Sequence, residues 1–158
     1  MGIQLYLKGK HKERITFTYT EWTFLKINLI KSAIKFIEEL IITNSIENKD
    51  KIFNDDLNNI IQKYYEINET GEFNINIFIN NLTLEEIDTL IFFDLGGLYF
   101  FINKNDCDAF YSVGNSVDII KMLDVIADKF NNDLQFIVNQ LKNLFNESIS
   151  TSKIIIIY

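Results

Sequence analysis

The sequence predicts an α+β fold in one domain, residues 1–158: a mixed or antiparallel sheet with an N-terminal hairpin and four to five helices packed on it. Three observations lead there. Near the N-terminus, apolar and polar residues alternate with the period of a half-buried strand. Later stretches carry apolar residues at i, i+3, i+4 and i+7, the period of an amphipathic helix. The 158-residue chain is 47% hydrophobic, enough for a substantial core, with no proline and no low-complexity linker to divide it.

Ile3, Leu5 and Leu7 alternate with Gln4, Tyr6 and Lys8, and Ile15, Phe17 and Tyr19 alternate with Thr16 and Thr18. With the charged turn at 9–13 between them, the two runs read as a hairpin. A helix then extends from an N-cap at Thr20 to about residue 42, with Glu21 in its first turn to suit the dipole. Trp22, Leu25, Leu29, Ile30, Ala33, Ile37, Leu40 and Ile41 form its apolar stripe, and Lys26, Lys31, Lys35, Glu38 and Glu39 fall on other faces. Trp22 reads as a core anchor. After a loop at 43–50, a second helix begins near Phe53, capped at Asn54 or Asp55, with Leu57, Ile60, Ile61, Tyr64 and Tyr65 recurring along it.

Residues 72–80 alternate again and predict a strand, with only Phe78 off the pattern. Thr83 and Glu86 have the spacing of a capping box, so a short helix runs to about Phe92, with Gly96 and Gly97 as its stop. The run from Leu98 to Ile102 predicts a strand buried on both faces. Past polar turns at 104–108 and 113–116, Asn115 or Ser116 caps a helix carrying Val117, Ile120, Leu123, Ala127 and Phe130. A last helix uses Leu134, Ile137, Val138, Leu141, Leu144 and Phe145. The isoleucine-rich end, 153–158, would be an aggregation hazard if exposed and is therefore expected inside the sheet.

Charge bounds the function. The net charge is −7, which disfavours direct contact with nucleic-acid phosphates and suits a protein partner with a basic surface. It also suits plain solubility. Cys107 is the sole cysteine, so no intramolecular disulfide forms and a reducing cytoplasm is expected. No run reaches the length of a membrane span, and no apolar leader opens the chain. The preference for Ile, Asn, Lys, Phe and Tyr is that of A/T-rich codons and implies a bacterium or phage with such a genome.

No residue set has the pattern of a catalytic, cofactor-binding or metal-ligating site. His11, the only histidine, lies in a basic loop with no positioned nucleophile. Gly96-Gly97 precedes an apolar run and matches neither a P-loop nor a dinucleotide fingerprint. Asp106 and Asp108 flank Cys107, with Asn103 and Asn105 before them, but the calcium-loop spacing is missing. They read as a self-capping solvated turn; the alternative is a carboxylate-dependent enzyme that uses both, with or without a metal. Asp106, Asp108, Asp118, Asp124 and Asp128 together form an acidic turn-and-helix segment. Asp118 stands near the helix start, and Asp124 and Asp128 stand i,i+4, like charges at a small cost to the helix. The five are candidates for binding a basic partner, and equally the carboxylates of an ordinary solvated face.

The stretch FINKNDCDAFYS resembles small bacterial immunity proteins of polymorphic toxin systems. There a strand leads to a turn of the form L-x-H-S-D-C-x-G-x-aromatic-S and then to a capped helix. Asp106, Cys107 and Ser112 match, with Phe110 one place from the pattern's aromatic; Lys104 replaces the pattern's His and Ala109 its Gly. The opening, MGIQLYLKG, is similar to the first strand of such proteins. The resemblance implies a single-domain cytoplasmic inhibitor that binds a toxin or nuclease stoichiometrically and carries no catalytic residues. A phage anti-CRISPR or related counter-defence inhibitor is the alternative within the same class.

Overall fold

In the computed structural model, which describes residues 2–46, 51–104 and 109–158, four strands form one antiparallel sheet in the order β2-β1-β4-β3. β1 (Gly2–Leu7) and β2 (Ile15–Thr18) are the expected hairpin, with Ile3 opposite Phe17 and Leu5 opposite Ile15. β4 (Ile155–Ile157) lies between β1 and β3 (Ala109–Tyr111), so the isoleucine-rich end is an interior strand, as its composition requires. Ile3, Leu5, Leu7, Tyr111, Ile155 and Ile157 are all buried on one sheet face. The side chains between them in sequence point the other way, as period-two geometry dictates.

The described residues form seven α-helices: α1 (Tyr19–Ile46), α2 (Lys51–Asn68), α3 (Ile75–Asn80), α4 (Leu84–Phe92), α5 (Gly96–Ile102), α6 (Val113–Val125) and α7 (Asn132–Thr151). A 3-10 turn, Ala127–Lys129, links the last two. One continuous apolar core joins the helices to the sheet. Trp22 sits in it against Phe17 and Phe101, with ring centroids 5.3 and 5.2 Å away. Among the described residues, no helix is long and apolar enough to cross a membrane.

The α+β class holds, while several elements differ from the sequence expectation. The sheet is antiparallel, one of the two expected forms, but among the described residues there are seven α-helices where four to five were expected. Both of the additional strands expected from the sequence are helices. At 72–80, the Asn74 side chain caps α3 by accepting from the Ile77 N–H at 3.1 Å. Ile75, Phe78 and Ile79 then face inward while Ile77 is exposed, so the one residue off the strand pattern marks the helical phase. At 98–102, Leu98, Phe101 and Ile102 are buried at i, i+3 and i+4. A short apolar run does not distinguish a buried helix from a buried strand.

The caps also move. Thr18, not Thr20, opens α1: its hydroxyl accepts from the Glu21 N–H at 3.1 Å, and the Glu21 carboxylate accepts from the Thr18 N–H at 2.7 Å. α2 begins at Lys51, so Asn54 and Asp55 lie inside it. Ser112 and Asn115 form a reciprocal capping box at the start of α6, so Ser116 lies inside the helix, where it is fully buried. The inward residues of that helix are Ser116, Ile119, Met122 and Leu123, a register displaced from the expected stripe. Gly96 and Gly97 do not stop α4; they start α5. The left-handed position after α4 is taken by Asp94, at φ 61°, a conformation that aspartate tolerates better than most residues. Lys26, expected on an outer face of α1, is buried with its ammonium 5.1 Å from the Trp22 ring.

Candidate functional site

Three of the five acidic candidates, Asp118, Asp124 and Asp128, are among the described residues, and their surroundings differ. Asp106 and Asp108, with Cys107 between them, lie outside the described residues. Asp118 is in the second turn of α6, past the helix start where the dipole acts, and lines a small cleft of about 60 Å³ together with Ile91, Asp94, Gly96, Gly97 and Lys121. Asp124 is ion-paired with Lys142 of α7 at 2.5 Å. Asp128 is 3.2 Å from the Lys129 ammonium, which also reaches Glu39 of α1. α6 ends at Val125, so Asp124 and Asp128 do not stand i,i+4 on one helix, and a lysine lies against each carboxylate. His11 is exposed in the loop between β1 and β2.

The cleft at Asp118 exists because α5 and α6 approach closely. A side-chain carbon on Gly97 would lie 2.2 Å from the Asp118 carbonyl oxygen and 2.6 Å from Ile119 Cα, so only glycine fits. On Gly96 it would meet Ile91 at 2.7 Å. Two residues without side chains thus lie between α4 on one side and α6 on the other, with Asp94 and Asp118 among the cleft's lining groups.

Beside the cleft lies the outer face of α4. Thr83 and Glu86 form the expected capping box, and this fixes the phase of the helix. Glu86, Thr89 and Leu90 point inward. The Glu86 carboxylate accepts from the Thr83 N–H at 3.0 Å and from the Lys63 ammonium at 2.9 Å, while the Thr89 hydroxyl donates to Asp56 at 2.9 Å. These bonds hold α4 on α2 and satisfy its buried polar groups. Ile87 packs against the core at the boundary, and the other positions point outward: Leu84, Ile91 and Phe92 are 77%, 46% and 63% exposed, and Glu85 and Asp88 are exposed among them. Phe92 stacks on Phe53 of α2 at 4.5 Å, which continues the apolar ridge. Among the described residues, Glu85, Asp88, Asp94 and Asp118 have no ion pair, whereas Asp124 and Asp128 each have a lysine.

Sequence reasoning includes Asp118 but not Leu84, Glu85, Asp88, Ile91, Phe92 or Asp94. The signal was within reach. Once the Thr83–Glu86 box sets the phase, Glu86, Leu90 and Phe93 fall on one side of the helix and Leu84, Asp88 and Ile91 on the other. From Glu85 to Asp118 the chain carries seven carboxylates and a single lysine, Lys104. No group of three or more potential metal ligands occurs among the described residues. Searches against protein-family models, curated proteins and solved structures return no match to this chain.

Proposed function

We propose that the protein is a non-enzymatic, cytoplasmic inhibitor that binds a toxin or nuclease through that partner's basic surface. The observation that carries the reading is the outer face of α4, where exposed Leu84, Ile91 and Phe92 stand among carboxylates without ion pairs. Apolar side chains supply contact area at a protein interface, and a ring of one charge sets the choice of partner and speeds association. The net charge of −7 acts in the same direction over longer range. The likeness of 101–112 to immunity proteins supports the same class.

The test is affinity capture from the source cells followed by an inhibition assay. The expected result is a basic enzyme, identified by mass spectrometry, whose activity falls to zero near a one-to-one ratio with this protein. The captured enzyme's identity separates a toxin-immunity pair from a counter-defence inhibitor aimed at a CRISPR nuclease. If none of the captured proteins is inhibited, the proposal fails.

A further inference from the structure

We infer that the outer face of α4 docks a basic amphipathic helix of the partner protein. The partner's apolar side chains would lie on Leu84, Ile91 and Phe92, and its lysines or arginines would reach Glu85, Asp88, Asp94 and Asp118. The inference rests on the protein-binding reading above and names the chemistry of the bound segment.

Three features specify the occupant. The first is spacing. Leu84 and Ile91 are seven residues apart, two turns of one helix face, with Asp88 between them and Phe92 beside them. α4 is about 13 Å long, and a facing helix with apolar residues at i, i+3, i+4 and i+7 matches that ridge. The second is charge. Carboxylates at Glu85, Asp88, Asp94 and Asp118 repel a second copy of the same face, a nucleic acid and an anionic membrane alike, which leaves a cationic polypeptide. The third is position. Asp94 and Asp118 both line the small cleft beside Ile91, so a basic group at the end of the ridge meets two carboxylates at its mouth. Lys121, also on the cleft, is the resident cation that would oppose an incoming one.

The experiment uses the full chain and a fluorescent peptide of about 18 residues, long enough to be helical, with leucines on one helical face and lysines elsewhere. A shuffled peptide of the same composition has the charge without the apolar face. Fluorescence anisotropy should show the amphipathic peptide bound at least about tenfold more tightly than the shuffled one. Ile91→Ser and Phe92→Ser should each weaken it about tenfold or more, as interface anchors do. Asp88→Lys should weaken it, Lys121→Glu should tighten it, and Asp133→Asn on α7 should leave it within about twofold. Equal binding of the two peptides, or binding indifferent to Ile91→Ser and Phe92→Ser, overturns the inference. If either serine variant melts early, Leu84→Asp at the most exposed position replaces it and is read the same way. The capture experiment separates the two proposals. A target that is inhibited by wild type and equally by Phe92→Ser removes the docking face and leaves the inhibitor. Specific peptide binding with no inhibited target does the reverse.

Discussion

At Tyr65, one hydrogen bond links two helices and sets the acidity of a phenol. Its hydroxyl donates to the Glu38 carboxylate of α1 at 2.5 Å. That bond, then burial, then the negative charge raise Tyr65 above the ordinary tyrosine range. Its neighbour Tyr64 is raised mainly by burial and secondarily by Glu38. A folded-state value above the unfolded one means that the contribution to stability is fully present below the unfolded value. It is lost as pH rises through the folded value. The expectation is that the phenolate absorbance of native Glu38→Gln rises at lower pH than that of wild type, with Tyr65 moving more than Tyr64. Coincident titration curves would show that the Glu38 bond has no influence in solution. The helical placement of Tyr64 and Tyr65 is legible in the sequence, but the Glu38 contact, 27 positions away, depends on how α1 and α2 cross.

Among the elements, α5 shows why part of the fold was hidden. Read alone, GGLYFFI has the aromatic content of a strand and the glycines of a stop. What decides for a helix is the contact with α6, where Gly97 brings two backbones together and Leu98, Phe101 and Ile102 reach the core. That information lies some twenty positions further along the chain, in the Asp118–Ile119 backbone. Local chemistry was sufficient where an element caps itself, as Thr83 and Glu86 do for α4, and insufficient where packing sets the phase, as in α6. Glycine substitutions test the distinction. Gly97→Ala must push α5 off α6 and should cost about 3 kcal/mol or more, the upper end for overpacking. Gly114→Ala, in the first turn of α6, meets only the Ser112 hydroxyl at 3.8 Å and should be neutral or stabilising by up to about 1 kcal/mol. Urea midpoints of the two variants check both, and equal effects would mean that the close approach is not a constraint.

Across the whole molecule, the first and last strands meet in the sheet: β1 and β4 are its two central strands, flanked by β2 and β3. The hairpin and the burial of the C-terminal run were legible because each follows from a period-two pattern or from the hazard of exposed isoleucines. The strand order was not, because nothing local pairs residues 155–157 with both Leu5–Leu7 and Ala109–Tyr111. The candidate docking face was half legible: the Thr83–Glu86 box sets the phase of α4, but which side the core claims depends on packing against α2 and α5. The observed register makes a sharp demand on three consecutive isoleucines. Ile155 and Ile157 are 0% and 1% exposed, whereas Ile156 lies on the outer face opposite Tyr6 and Phe110. Ile155→Ala and Ile157→Ala should therefore each cost about 2–5 kcal/mol through lost burial and the cavity left behind. Ile156→Thr keeps β-branching on a partly solvated face and should cost less than about 1 kcal/mol. Urea unfolding of the three variants, with the slope unchanged, measures the difference directly. A one-residue slip of β4 would exchange the two faces and reverse the order of the losses, so the ranking of adjacent isoleucines decides whether the chain's two ends are joined in this register.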